Sequence, residues 1–347
     1  MACAVPATPQ AKPAPSLEHL DLIWFVPVMG LSGLSLAWAQ GAGHFGASGT
    51  ALARLIGLLA GGVFALVLLL SLWRLRRWPR ALHLQWMHPV RYVFFAAVPA
   101  SLILLATVGS TLTDVAPHWD GLWRLGALLQ ALLTLAVLWR WWRLRAARWL
   151  GVTPALLIPV VGNVLAPLAG VRLGHADWAW TQAAVGAALW PLVLVLLVLR
   201  VRQIGWWPER LRPSAFVLVA PPTVIGLDLM LAQAGMVPVL ACWALALGFL
   251  GWALRQLPGC FEQPFGMPMW SLSFPLAAFA SLTLRLGAAG WLPAWPGLVA
   301  LALASVVIAA LLRWTWWGLR SGELLQPEPA PAPKPEATRP GVPGAPA

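Results

Sequence analysis

The chain has 347 residues, of which 60% are hydrophobic and only 10% charged, and its formal net charge is +12. Soluble domains carry about 25% charged residues, so this chain cannot build a water-facing surface, and with a mean hydropathy of +0.77 its main solvent is lipid. The positive charge does not point to nucleic acid, because the basic residues sit in short clusters between apolar runs, which is the topology signal of membrane proteins.

Residues 1–19 are rich in Ala and Pro and lack a basic stretch followed by an apolar one. They predict a disordered cytoplasmic N-terminus without a cleaved signal peptide. A spanning helix needs roughly 20 apolar residues. That length predicts spans near 20–40, 52–73, 91–111, 121–142, 151–170, 179–200, 214–233, 236–257, 270–290 and 296–318. The gaps are short, so the expected fold is an all-α polytopic membrane protein, ten transmembrane helices in five sequential hairpins occupying 20–320. The remaining 321–347 is Pro/Ala-rich towards its end and reads as a disordered cytoplasmic tail. The three cysteines, Cys3, Cys242 and Cys260, form no CxxC pair, which argues against a disulfide framework or a zinc site.

Charge sets the expected orientation. Arg74, Arg76, Arg77 and Arg80 follow the second span, Arg140, Arg143, Arg145 and Arg148 the fourth, Arg200, Arg202, Arg210 and Arg212 the sixth, and Arg313 and Arg320 close the tenth. At the opposite ends stand only Arg54, Arg124, Arg172 and Arg285. By the positive-inside rule both termini are cytoplasmic, in a bacterial inner membrane. Trp73, Trp78, Trp139, Trp206, Trp314 and Trp317 flank the same basic ends, as an interfacial aromatic belt does.

The odd spans differ from the even ones. Pro27, Pro99, Pro159, Pro221 and Pro275 lie at similar depths in the five odd spans, while the even spans are dominated by Leu, Val and Ala. Proline frees a carbonyl and kinks a helix, which lipid tolerates only where protein or water satisfies the freed group. The odd helices are therefore expected inside, as a pseudo-fivefold set of kinked helices around a central pore. They also hold Gly30, Gly33, Ser101, Thr107, Thr223, Ser273 and Ser281, suited either to a polar lining or to close packing. Among charges within the spans, Asp228 is the acid and Arg285 the clearest base. They share a depth in the outer half. Either they pair, which lowers the cost of burying both, or Arg285 faces the pore mouth and draws anions, or it snorkels to the interface. Arg54, Arg124 and Arg172 either make the outer vestibule positive or anchor the interface.

Enzyme chemistry finds no support. No GxSxG, HExxH, Walker or GxGxxG pattern is present, and hydroxyls in the spans lack a nearby His or Asp. None of the six histidines forms an i,i+4 ligand pair, so no catalytic residue, cofactor or metal is expected.

Several segments together resemble one family. They are His88-Pro89-Val90 with Phe94-Phe95 and Pro99, Thr153-Pro154 to Pro167, Arg212-Pro213 with Ala220-Pro221-Pro222, and, most specific, Trp270-Ser271-Leu272-Ser273-Phe274-Pro275-Leu276-Ala277-Ala278. They resemble the TehA-like tellurite-resistance/C4-dicarboxylate transporter family, part of the voltage-dependent anion channel superfamily that includes the plant slow anion channels. The resemblance covers about residues 20–320. It implies ten helices in five hairpins around a pore, a homotrimer with one pore per subunit, and a pore gate at Phe274, which composition alone would read as an aromatic packed between helices. After Ser321 the tail holds only Thr338 as a hydroxyl residue, so the kinase gating of the plant channels is not expected. The expected function is a gated anion channel or channel-like permease for small inorganic or dicarboxylate anions. The alternatives are a proton-coupled C4-dicarboxylate or tellurite transporter and a membrane protein without transport. Coupled carriers place ionisable groups near the midplane, and Asp228 lies further out.

Overall fold

Residues 15–143, 148–262 and 264–326 are described by the structure, a computed structural model. Most of the expected N-terminal and C-terminal tails, with Cys3 and Thr338, lie outside the described residues, as do Arg145 and the side chain of Arg148. The described residues form helices and turns, with no strand among them. Among the described residues, eight helices are long and apolar enough to cross a membrane; the coarse reading, an all-α polytopic membrane protein, holds.

The first of the eight, Leu22–Arg77, has 56 residues. Straight, it would reach about 80 Å, far beyond a hydrocarbon core of about 30 Å. It folds back instead. Helix α1, Val26–Arg77, is broken at Gly46, whose φ of 57° and ψ of −138° suit only a residue without a Cβ. Ser35 Oγ donates to the Ala53 carbonyl at 2.7 Å. The rings of Phe25 and Phe64 meet edge-on at 5.6 Å. Arg74 Nε donates to the Glu18 carbonyl at 2.8 Å. These pairs lie nearly symmetrically about Gly46, so α1 is two antiparallel arms.

The rest of the chain runs α2 Pro79–Met87, α3 Ala97–Leu112, α4 Pro117–Arg143, α5 Arg148–Gly151, α6 Leu157–Val164, α7 Pro167–Gly170, α8 Ala176–Ile204, α9 Ala220–Leu231, α10 Met236–Cys260, α11 Ser273–Ala288 and α12 Trp295–Arg320. The expected fifth span is thus three short pieces. Its apolar part, Pro154–Gly170, falls below the length of the eight.

Two populations of helix appear, as the sequence predicts. Of the apolar stretches of Arg91–Leu112, Glu209–Leu231 and Met267–Ala288, 89%, 78% and 94% are buried, against 33%, 22%, 22% and 28% for α4, α8, α10 and α12. Each outer helix buries a narrow stripe, such as Gly297, Leu301, Ala304, Ile308 and Leu311 of α12, at the 3–4 residue spacing of one helical face. The outer face of α1 after Gly46 carries Leu55, Leu58, Leu66 and Leu69, all exposed, as lipid contact requires. Tryptophans tie the populations together. The indole N–H of Trp270 donates to Thr315 Oγ1 at 2.9 Å, that of Trp243 to Thr283 Oγ1 at 3.0 Å, and that of Trp123 to the Ala166 carbonyl at 3.0 Å.

Every inner segment opens on a 3-10 turn: Leu22–Phe25, Arg91–Ala96, Pro154–Leu156, Glu209–Val219 and Met267–Leu272. Pro27, Pro99, Pro159, Pro221 and Pro275 each sit in the first turn of the α-helix that follows. There the missing N–H is one that the helix leaves unpaired anyway. The proline layer is therefore a layer of junctions between two helix types. In packing, α1 lies against α3 and α11, α3 against α6, α6 against α9, and α9 against α11.

Candidate functional site

A cavity of about 50 Å³ lies between the inner segments. Its lining repeats at helical spacing: Gly33, Leu36 and Gln40 from α1, Leu104, Thr107 and Thr111 from α3, Leu168 from α7, Val224 and Leu227 from α9, and Phe274, Ala278, Ser281 and Arg285 from α11. All five inner segments contribute. Along α11, from Phe274 to Arg285 is about 16 Å at 1.5 Å per residue. The Phe274 end is apolar, with Gly33, Leu104 and Ala278. The Arg285 end is polar, with Gln40 and Thr111.

Phe274 is 6% exposed and lies flush against α1. A Cβ at Gly33 would stand 3.1 Å from Phe274 Cδ2 and 3.2 Å from Ala277 Cβ, and one at Gly30 would collide with the Ser273 side chain. The small residues of the first inner segment thus let α11 approach closely and seat the ring.

Most inner hydroxyls turn out to serve the backbone. Ser101 donates to the Ala97 carbonyl, Thr107 to Ile103, Thr223 to Val219, Ser273 to Trp270 and Thr283 to Phe279, at 2.6–2.8 Å. Such bonds satisfy the hydroxyl within its own helix. Their hydroxyls are thus spent on the backbone, and of them Thr107 also borders the cavity. The cavity residues Ser281, Thr111 and Gln40 make no such bond among the described residues.

Asp228 is 5% exposed, and its Oδ1 has no hydrogen-bond partner. It lies within electrostatic reach of Arg285, but Asp228 is not among the cavity-lining residues and Arg285 is. Of the other outer arginines, Arg54 and Arg172 line an outer recess of about 650 Å³ with Thr111, Leu112, Thr113 and Asp114. Thr111 is common to both cavities, so the recess adjoins the inner one. Arg124 is committed elsewhere. Its guanidinium lies 2.6 Å from Asp120 Oδ2, and Asp120 Oδ1 lies 2.6 Å from His175 Nε2, which stacks on Trp123 with centroids 5.2 Å apart. Sequence reasoning did not single out Asp120, Gln40 or Thr111. All three stand near span ends, where polar residues read as loop.

A buried network braces the segment broken into α6 and α7. The Pro159 carbonyl accepts from Gln130 Nε2 at 2.8 Å, Thr134 Oγ1 at 2.9 Å and Asn163 Nδ2 at 2.9 Å. Gln182 Nε2 donates to Asn163 Oδ1 at 3.0 Å. At the basic ends of the spans, Arg74 is 3% exposed, donates to Gln85 Oε1 at 3.1 Å and stands 3.8 Å from Asp21, which also pairs with Arg91 at 3.1 Å.

Over 264 residues the chain is 25% identical to the tellurite resistance protein TehA homolog of Haemophilus influenzae, covering 73% of this chain and 77% of that one. It is 26% identical over 243 residues to a putative malic acid transport protein of Schizosaccharomyces pombe, covering 64% of this chain and 55% of that one. It is 28% identical over 242 residues to the S-type anion channel SLAH3 of Arabidopsis thaliana, covering 68% of this chain and 38% of that one. The family model described as voltage-dependent anion channel matches residues 19–316, and the chain, a multi-pass membrane protein, belongs to that family.

Proposed function

We propose that the chain is a gated anion channel of a bacterial inner membrane, with ten crossings and a pore closed by Phe274. The observation that carries this reading is the single cavity lined by all five inner segments, apolar at Phe274 and basic at Arg285. The packing order of the inner segments closes a cycle in chain order, which supports the pseudo-fivefold ring. The crossing number has separate support. Eight long helices, one of them folded at Gly46, make nine rods, and Pro154–Gly170 makes the tenth. Ser16 N donates to the Leu325 carbonyl at 2.9 Å, so the two ends of the described chain meet on one face, as an even number requires. The arginine bias puts that face in the cytoplasm. The homotrimer stands on the family resemblance.

A phenyl ring across a narrow pore keeps water out, and a dewetted constriction blocks ions without any charge. In this reading Phe274→Ala opens the pore. The test is planar-bilayer recording of wild type and Phe274→Ala with chloride, nitrate, sulfate and malate in turn. A larger anion current is expected in the variant, and an unchanged one rejects the gate.

One observation favours a second reading. Asp228 is a buried carboxyl in a spanning segment with an unbonded oxygen, and such groups mark proton-coupled paths. A proton-coupled carrier for dicarboxylates or tellurite predicts flux in proteoliposomes that collapses with a protonophore. The channel predicts flux that follows the anion gradient alone.

A further inference from the structure

We infer that the outward face of α12 carries, at its basic end, a binding site for one net-anionic phospholipid, whose phosphodiester is held by Arg313 and Arg320 over the rings of Trp316 and Trp317.

Several arginines at the basic ends of the spans are already engaged. Arg74 donates to the Glu18 carbonyl and to Gln85, Arg140 to the Met87 carbonyl and Arg200 to the Gly205 carbonyl, while Arg212 pairs with Glu209 and Glu262. Arg313 and Arg320 make neither a hydrogen bond nor an ion pair among the described residues. Each lies over an exposed indole instead, Arg313 at 4.3 Å from the Trp317 ring centroid and Arg320 at 4.6 Å from that of Trp316. An indole face attracts a cation but supplies no oxygen, so the five N–H donors of each guanidinium remain for an acceptor. Helical geometry brings the four residues together: at 3.6 residues per turn, positions 313, 316, 317 and 320 fall within about 100° of one another around the axis. Arg313 reaches forward four residues to its ring and Arg320 reaches back four, so both guanidiniums are drawn to one level of the helix. Arg77 and Arg143 also lie over indoles, those of Trp78 and Trp139, but the arginine one turn before each, Arg74 or Arg140, is committed as above.

Depth and charge select a lipid. Helix α12 opens at Trp295, and at 1.5 Å per residue the rings of Trp316 and Trp317 stand about 32 and 33 Å further along it, the headgroup layer beyond a hydrocarbon core of about 30 Å. Towards the middle of the membrane the same face continues at seven-residue spacing with Val306 and Val299, which are 66% and 58% exposed and form an apolar track for an acyl chain. This face lies opposite the stripe of Leu301, Ala304 and Ile308 that α12 buries. A free phosphate would use the arginines alone; a lipid uses the arginines and the track. Two guanidiniums drawn together repel one another, and a phosphate between them removes that cost through charge-assisted hydrogen bonds. The phosphate of a zwitterionic lipid carries its own ammonium group, which would meet the second guanidinium. That of phosphatidylglycerol or cardiolipin carries none, and basic clusters at this depth recognise such anionic headgroups.

The test is native mass spectrometry of the purified full chain, stripped of lipid in an uncharged detergent and titrated with cardiolipin, phosphatidylglycerol or phosphatidylethanolamine of the same acyl chains. Wild type should bind its first cardiolipin or phosphatidylglycerol about tenfold or more tighter than phosphatidylethanolamine. Combining Arg313→Gln with Arg320→Gln should erase that preference to within about threefold. Combining Trp316→Leu with Trp317→Leu keeps the charges, loses the stacking and should weaken anionic-lipid binding by about threefold. Arg77→Gln with Arg143→Gln removes the same charge elsewhere and should stay within about threefold of wild type. All four arginines are exposed, so the variants should melt with wild type in lipid-free detergent; if the Arg313/Arg320 pair does not, each single Gln variant carries the test and should lose part of the preference. The site is overturned by an undiminished preference after both Arg313→Gln and Arg320→Gln, by an equal loss in the Arg77/Arg143 control, or by phosphatidylethanolamine binding as tightly as phosphatidylglycerol. Displacement of the lipid by an equal concentration of inorganic phosphate also overturns it, because the track would then contribute nothing.

Discussion

At the scale of single residues, the contact between Gly33 and Phe274 does more than fill space. The ring is held by an apolar wall with no Cβ at Gly33, and the nearest atoms there, Phe274 Cδ2 at 3.1 Å and Ala277 Cβ at 3.2 Å, leave a methyl group only if the ring and the Ala277 methyl both give. Overpacking of this kind costs about 1–3 kcal/mol. The ring borders a cavity, so it has somewhere to go. Gly33→Val is therefore expected to push Phe274 off its seat and raise the anion current of the otherwise wild-type chain. In a Phe274→Ala background the same change should add nothing, because no ring remains to displace. Bilayer recording of the two single variants and the double variant measures this, and additive effects would refute it. Phe274 was legible in the sequence only through its motif, and Gly33 only as one small residue among several. Which glycine faces which ring depends on how two helices separated by some 240 residues come to pack.

At the scale of elements, the outer helices show how one residue type carries opposite meanings. Gly297 starts the buried stripe of α12 and abuts the backbone of α11: a Cβ there would stand 3.0 Å from Leu284 N and Cα. Backbone cannot yield as a side-chain tip can, so Gly297→Ala should lower stability by about 1–3 kcal/mol. Gly62, on the lipid-facing arm of α1, has nothing within 4 Å of its would-be Cβ. Gly62→Ala should be neutral or stabilise by up to about 1 kcal/mol through helix propensity. Thermal unfolding of both variants in detergent compares them, and equal melting temperatures would contradict the assignment of inner and outer faces. The alternation between proline-bearing and Leu-rich segments was readable because lipid-facing helices need continuous apolar surface while buried ones do not. The 3-10 turns were not readable. A proline is as compatible with a mid-helix kink as with a helix's first turn, and only the backbone bonds around Pro27, Pro99, Pro159, Pro221 and Pro275 distinguish the two. The break between α6 and α7 was missed for a similar reason. Gln130 and Thr134 of α4, both donating to the Pro159 carbonyl, hold that segment in place from another helix, which local propensity does not see.

At the scale of the whole molecule, the arginine bias and the meeting of the chain ends are independent of each other. Ser16 reaches Leu325 through the backbone, and Arg74, Gln85, Asp21 and Arg91 converge beside the same entrance of α1. The bend at Gly46 lies at the far end of both α1 arms from that cluster. If the basic ends face the cytoplasm, the bend faces the periplasm. Ser48, just past the bend, and Ser321, just past α12, are both exposed, and each accepts a cysteine without a change of volume that matters. In a background with Cys3, Cys242 and Cys260 replaced, Ser48→Cys should react with a membrane-impermeant maleimide added to intact spheroplasts. Ser321→Cys should react only after the membrane is opened. Labelling of both from outside would mean an even number of crossings between them, against the odd number that ten crossings require. Labelling of Ser321→Cys alone would invert the molecule and turn the Arg285 end of the cavity towards the cytoplasm.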